Sequence, residues 1–139
     1  HITALAHHHI ITSNNHQIII MTLNQLFWAE LKQEAAATRQ LLALVPFDKS
    51  DFKPHEKSMS LKHLAAHVAE ITGWWKQILL QDELDFAKGD YKPLDINSAE
   101  ELVAHHDQLV ANAEQILAEF PEANFQNAWT GGFIVANSL

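Results

Sequence analysis

Apolar side chains recur at steps of three and four residues in three stretches of this chain, and each stretch ends at a helix breaker. From Thr22 to Val45 the positions Leu23, Phe27, Leu31, Ala35, Thr38, Leu42 and Val45 make one stripe, the period of a helix with a single buried face, before Pro46 stops it. A second stripe, Leu61, Leu64, Val68, Ile71, Trp75 and Ile78, predicts a helix capped by Ser58 or Ser60 and running to about Gln81, interrupted only mildly at Gly73. The third, Leu102, His106, Leu109, Ala113, Ile116 and Phe120, opens on a Ser98/Glu101 capping box and closes at Pro121. Between them, Phe47 to Met59, following Pro46 and containing Pro54, reads as an ordered loop, and residues 82–97, acidic and broken by Gly89 and Pro93, as a long surface connection.

Long helices with broad apolar faces usually close as bundles of four. After Phe125 only a short tail with Gly131 and Gly132 is left, too short and too broken for another full helix. The fold class expected is all-α, an up-down bundle with three long helices present and the fourth missing, or replaced by the N-terminal segment or a partner chain. In the latter case the protein is a homodimer.

Residues 1–20 depart from this pattern: they hold five of the ten histidines (His1, His7, His8, His9 and His16) and none of the charged residues. No positive region precedes an apolar run, so a secretory signal is rejected, although Ala4, Leu5 and Ala6 imitate a cleavage site. Met21 is followed at once by helix-compatible sequence. Residues 1–20 are therefore expected to be a non-native or irregular His-rich extension, and residues 21–139 a helical domain cut short of its last helix. The alternative is a β-hairpin, because β-branched runs at Ile10–Thr12 and Ile18–Ile20 flank the turn-prone Ser13, Asn14 and Asn15. Adjacent histidines there could also take up stray metal.

With 139 residues and 47% hydrophobic content the chain suits one domain with a real core. Seventeen acidic residues against 9 basic ones, with Arg39 the single arginine, cannot form the cationic stripe that a phosphate backbone needs. Nucleic acid is excluded as a partner. No apolar run reaches the roughly 18 to 20 residues that cross a bilayer. The absence of cysteine rules out disulfides and thiolate metal sites, leaving nitrogen and oxygen ligands for any ion, and a cytoplasmic setting is expected.

Candidate chemistry centres on the second helix. His63 and His67 lie four apart, a spacing that projects two imidazoles from one side of a helix one turn apart. His67 falls at the margin of the apolar stripe beside Trp74, whereas His63 turns further toward solvent. Glu70 could serve as acid or base near an ion, although a helical glutamate more often lies on a solvated face. His105 and His106 diverge by about a hundred degrees and so cannot both face one ion, and His106 is expected to pack as a core aromatic. Trp28, Trp74 and Trp75 could line a pocket for a small molecule.

The run from Phe52 through Pro54, Ser60, Leu64 and His67 to Trp75, FKPHEKSMSLKHLAAHVAEITGWW, resembles the DinB-like family of metal-dependent four-helix bundles. Its marks are a short F-x-P loop, a serine-capped helix and a leucine-x-x-histidine turn followed by tryptophan. Thr38, Arg39 and Pro46 of the first helix, and Ser98, His106 and Asp107 of the third, extend the resemblance over about residues 22–120. The resemblance implies a divalent metal, nickel or zinc, held by one histidine on the second helix and a His-x-x-x-His pair on the last. His67 takes the first position, with His63 as a possible additional ligand, while the chain departs from the pattern near Trp129 and offers no second pair. It implies a small-molecule enzyme, in the manner of a thiol-linked transferase, impaired in this form. The alternative is a non-catalytic helical scaffold or small-molecule binding module that dimerises.

Overall fold

In the computed structural model, residues 9–12, 18–81, 83–84, 94–126 and 130–131 are described. Four helices carry this part of the chain: α1 (Leu23–Ala43), α2 (Leu61–Ile71), α3 (Trp74–Leu80) and α4 (Ala99–Glu119). Their starts are chemically marked. Thr22 accepts from the Gln25 N–H while the Gln25 side chain accepts from the Thr22 N–H, a capping box that the stripe alone does not announce. Ser60, not Ser58, caps α2 by accepting from the His63 N–H. Ser98 caps α4 through the Glu101 N–H, but the Glu101 carboxylate reaches back one residue further, to the Asn97 N–H at 2.9 Å.

The second helix is divided. Thr72 and Gly73 stay in the right-handed helical region, and the Gly73 N–H bonds the Glu70 carbonyl at 2.8 Å, so the backbone tightens for one turn without reversing. Crowding explains why glycine stands there: a Cβ on Gly73 would lie 3.1 Å from Leu109 Cδ2 on α4.

The helices run up, down and down. Asn24 at the start of α1 donates its side-chain amide to the carbonyls of Leu117 (2.6 Å) and Phe120 (2.8 Å), which makes α1 antiparallel to α4. Leu42 near the end of α1 packs with Ala65 and Ala69, while the Phe27 ring near its start lies 5.8 Å from Trp75, so α2 and α3 also oppose α1 and accompany α4. A parallel neighbour needs a long crossover, and the chain between Leu80 and Ala99 provides it. That crossover is not purely a surface connection. Ile96 is buried with Leu42, Ala65, Ala69 and Leu102, Leu94 packs on the same cluster, and Lys62 Nζ holds Asp95 (3.0 Å) and Asn97 (3.1 Å).

All seven positions of the first stripe and all six of the third are buried or partly buried, Val45 and Phe120 just beyond the ends of α1 and α4. On α2 and α3 the assignment must be corrected. Ala65, Ala66 and Ala69 face the core, and Leu64, Ile71 and Ile78 turn outward at 49%, 48% and 40% exposure. Small side chains let α2 approach α1 and α4 closely, so the alanine face, less conspicuous in hydrophobicity than the leucine and isoleucine face, is the one that packs.

In the N-terminal region the two β-branched runs pair: β1 (His9–Thr12) lies antiparallel to β2 (Ile18–Met21), Ile10 opposite Ile20, and β2 leads straight into the Thr22 cap. A second short pair joins β3 (Glu83–Leu84) in parallel to β4 (Thr130–Gly131). The turn residues Ser13, Asn14 and Asn15, with His1, His7, His8, His16, Gly89, Pro93 and Trp129, lie outside the described residues. No described helix is long and apolar enough to cross a membrane.

Candidate functional site

With alanines 65, 66 and 69 committed to the core, the advance of about 100° per residue on a helix turns His63, Leu64, His67 and Ile71 to the opposite side of α2. His67 is partly buried there, its ring edge-on to Trp74 with centroids 6.2 Å apart and planes at 69°. His63 is partly buried one turn earlier, and side chains four apart on a helix have Cβ atoms about 5–6 Å apart. Glu70 shares this side and is also partly buried. Next to them Phe52, Pro54, Ser58, Met59, Leu61 and Leu64 line an open, largely apolar depression of about 410 Å³. Leu64, one turn before His67, belongs to its wall.

The three tryptophans stand in different described surroundings. Trp74 meets His67, whereas Trp75 turns inward against Phe27, whose ring lies 5.2 Å from Phe125, itself 4.7 Å from Phe120. Trp75 also lines a void of about 30 Å³ with Thr72, Lys76, Leu109 and Asn112, room for a single water. Trp28 is partly buried on α1 and lines neither depression. Adjacent residues on a helix diverge, which is why Trp74 and Trp75 serve different surroundings.

On α4, His106 packs as the core aromatic that the stripe predicted, at 1% exposure, with Nε2–H donating to the Ala35 carbonyl at 3.3 Å. Its Nδ1 is buried without a hydrogen-bond partner among the described residues. His105 stays at the edge, partly buried. Arg39 and Asp107 meet across α1 and α4, Nε lying 3.0 Å from each carboxylate oxygen. Both are well exposed, so the pair adds little stability and mainly marks the register of the two helices.

Among the described residues no three His, Asp or Glu side chains come together around a point where an ion could sit. His67 and His63 supply at most two imidazoles, and His106 is committed to Ala35 on the far side of the core. The donors among the described residues therefore do not fit the three-nitrogen centre that the resemblance implies.

The chain matches the family model of the DinB superfamily over residues 30–135, which takes in three of the four helices whole, most of α1, and sequence past the motif-bearing stretch. No curated protein and no solved structure matches it. A match over so much of the sequence, on an all-α bundle whose α2 carries the Leu64-x-x-His67 turn, identifies the chain as a member of the DinB superfamily.

Proposed function

We propose that the outward side of α2 and α3 is the working surface of this protein, and that it serves a metal-dependent reaction on a small molecule. The observation that carries this is the placement of His67: partly buried beside Trp74, turned from the core, and one turn from an apolar depression. In this reading His67 holds a divalent ion, nickel or zinc, and the depression by Leu64 receives an apolar portion of the substrate. Thiol-linked transfer is the reaction class that the family resemblance suggests, and a cytoplasmic setting suits it. The remaining donors come from outside the described residues or from a second chain, since catalytic zinc sites take about three protein ligands.

The lack of a three-donor group among the described residues favours a second reading, a non-catalytic scaffold or small-molecule binding module that dimerises through the same surface. Elemental analysis of protein purified without chelators or metal columns separates the two. Nickel or zinc near one per site, lost in His67→Ala, supports the enzyme. Metal-free wild-type protein supports the scaffold.

A further inference from the structure

The loop before α2 is built as a cup. Phe52 to Leu61 is a surface loop whose ends are tied, the Leu61 N–H donating to the Phe52 carbonyl at 2.9 Å and the Lys62 N–H to the Ser50 carbonyl at 2.9 Å. Inside it the Ser58 N–H donates to the His55 carbonyl at 2.9 Å and the Lys57 N–H to His55 Nδ1 at 3.1 Å. These bonds shape the depression of about 410 Å³, where Phe52, Met59 and Leu64 stand at 61%, 48% and 49% exposure. Small-molecule sites have volumes of about 300–1,000 Å³. Six residues line this one, far short of the roughly 20 to 30 a side that a stable protein interface covers.

Charge separates this loop from the rest of the chain. Residues 49–62 hold four of the 9 basic residues and two of the 17 acidic ones, a local positive excess in a chain of net charge -8. Lys53 stands between Phe52 and Pro54 of the lining, and Lys57 directly precedes Ser58. Both are exposed and neither joins an ion pair among the described residues, whereas Lys62 is held by Asp95. The first N–H groups of α2, from Leu61 to Leu64, are all engaged, so side chains rather than backbone supply the positive charge here.

We propose that this cup binds a small anionic amphiphile, an apolar body with one terminal carboxylate. This rests on the depression being the part of the working surface that receives substrate, and it names the substrate's class. Phe52, Met59 and Leu64 take the apolar body out of water, while Lys53 and Lys57 beside them meet the carboxylate. Exposed charges of this kind choose the head group more than they tighten binding.

The chain has two methionines, Met21 and Met59, so methyl-labelled methionine gives one NMR signal in the cup and one control outside it. The full chain is titrated in metal-free buffer at neutral pH with octanoate, octanol and octylammonium, which share a chain and differ in head charge. Octanoate is expected to shift the Met59 signal to saturation with Met21 unmoved, and to bind about fivefold more tightly than octanol. Octylammonium should bind more weakly than either. Lys53→Gln combined with Lys57→Gln should abolish the preference for octanoate and leave octanol binding as it was. Leu64→Asn should weaken both ligands alike, with helical circular dichroism retained in each variant. Equal affinity for the three amphiphiles, or a preference for octanoate that survives loss of the lysines, overturns the anionic class and leaves the depression as an apolar subsite. Met59 unmoved by all three, or Met21 moved to the same extent, overturns both. Cosedimentation with vesicles of anionic phospholipid, without a Met59 response to octanoate, assigns the lysines to a membrane surface and overturns the proposal.

Discussion

His67 and Trp74 meet edge to face across two turns of the helical rod formed by α2 and α3, ring centroids 6.2 Å apart. The contact fixes one side of the imidazole against a fluorophore and leaves the ring on the side of α2 away from Ala65, Ala66 and Ala69. A paramagnetic ion bound at His67 would therefore lie close to Trp74. Titration with copper or nickel is expected to quench a fraction of the tryptophan emission, and the quenching should vanish in His67→Ala and in Trp74→Phe. Equal quenching in all three proteins would place the ion elsewhere.

The two sides of α2 should respond oppositely to substitution. Ala69 is fully buried, so Ala69→Leu forces extra methylenes into a packed contact and should cost about 1–3 kcal/mol. Ile71, two residues on, faces outward, and Ile71→Gln should change the stability of the monomer by no more than about 0.5 kcal/mol. Urea denaturation of both variants at low protein concentration checks the pair. A larger loss for Ile71→Gln than for Ala69→Leu would mean that the faces have been assigned the wrong way round.

Gly73 sets the distance between the α2–α3 junction and α4. Alanine has the better helix propensity by about 1 kcal/mol, but its methyl would press on Leu109 at 3.1 Å. Gly73→Ala is expected to lower stability by about 1 kcal/mol net, and a double-mutant cycle with Leu109→Ala should recover most of that loss. Additive losses would show that Leu109 is not what glycine accommodates.

At the far end of the bundle, α1 and α4 close on each other through polar groups. Asn24 satisfies two carbonyls at the end of α4, and the Glu122 carboxylate accepts the Leu23 N–H at 2.8 Å, placing a negative charge at the start of α1. Asn24→Ala should cost about 1–3 kcal/mol and Glu122→Ala about 1 kcal/mol in thermal or urea unfolding. Neither should alter binding at His67, more than 40 positions away in sequence from both. These partners were not legible beforehand, because nothing in local sequence tells an asparagine one residue inside a helix which distant carbonyls it will find.

Much else was legible. The stripes of α1 and α4 were read correctly because each has one apolar side and polar residues opposite. The stripe of α2 misled because that helix has two apolar sides, one of alanines and one of larger residues, and hydrophobicity alone ranks the larger ones first. Ile96 went unrecognised as core because a single apolar residue in an acidic, turn-rich segment has no period to reveal it. The antiparallel pairing of β1 with β2 was legible from two β-branched runs. His67 was found through its spacing to His63 and the Leu64-x-x-His67 turn. No further nitrogen donors for it were legible, because metal ligands meet in space and no second histidine pair recurs at the expected spacing.

The central claim is that the imidazoles on the outward side of α2, not those elsewhere, receive a metal ion. Imidazole proton–carbon NMR spectra of the histidine side chains, assigned by single substitution and recorded with and without zinc, test it most directly in protein whose five N-terminal histidines are asparagine. The account predicts that the signals of His67 and His63 shift or broaden on zinc addition while that of His106, sealed in the core against Ala35, stays in place. Unmoved His67 and His63 signals, with changes confined to His55, His105 or His106, would contradict it.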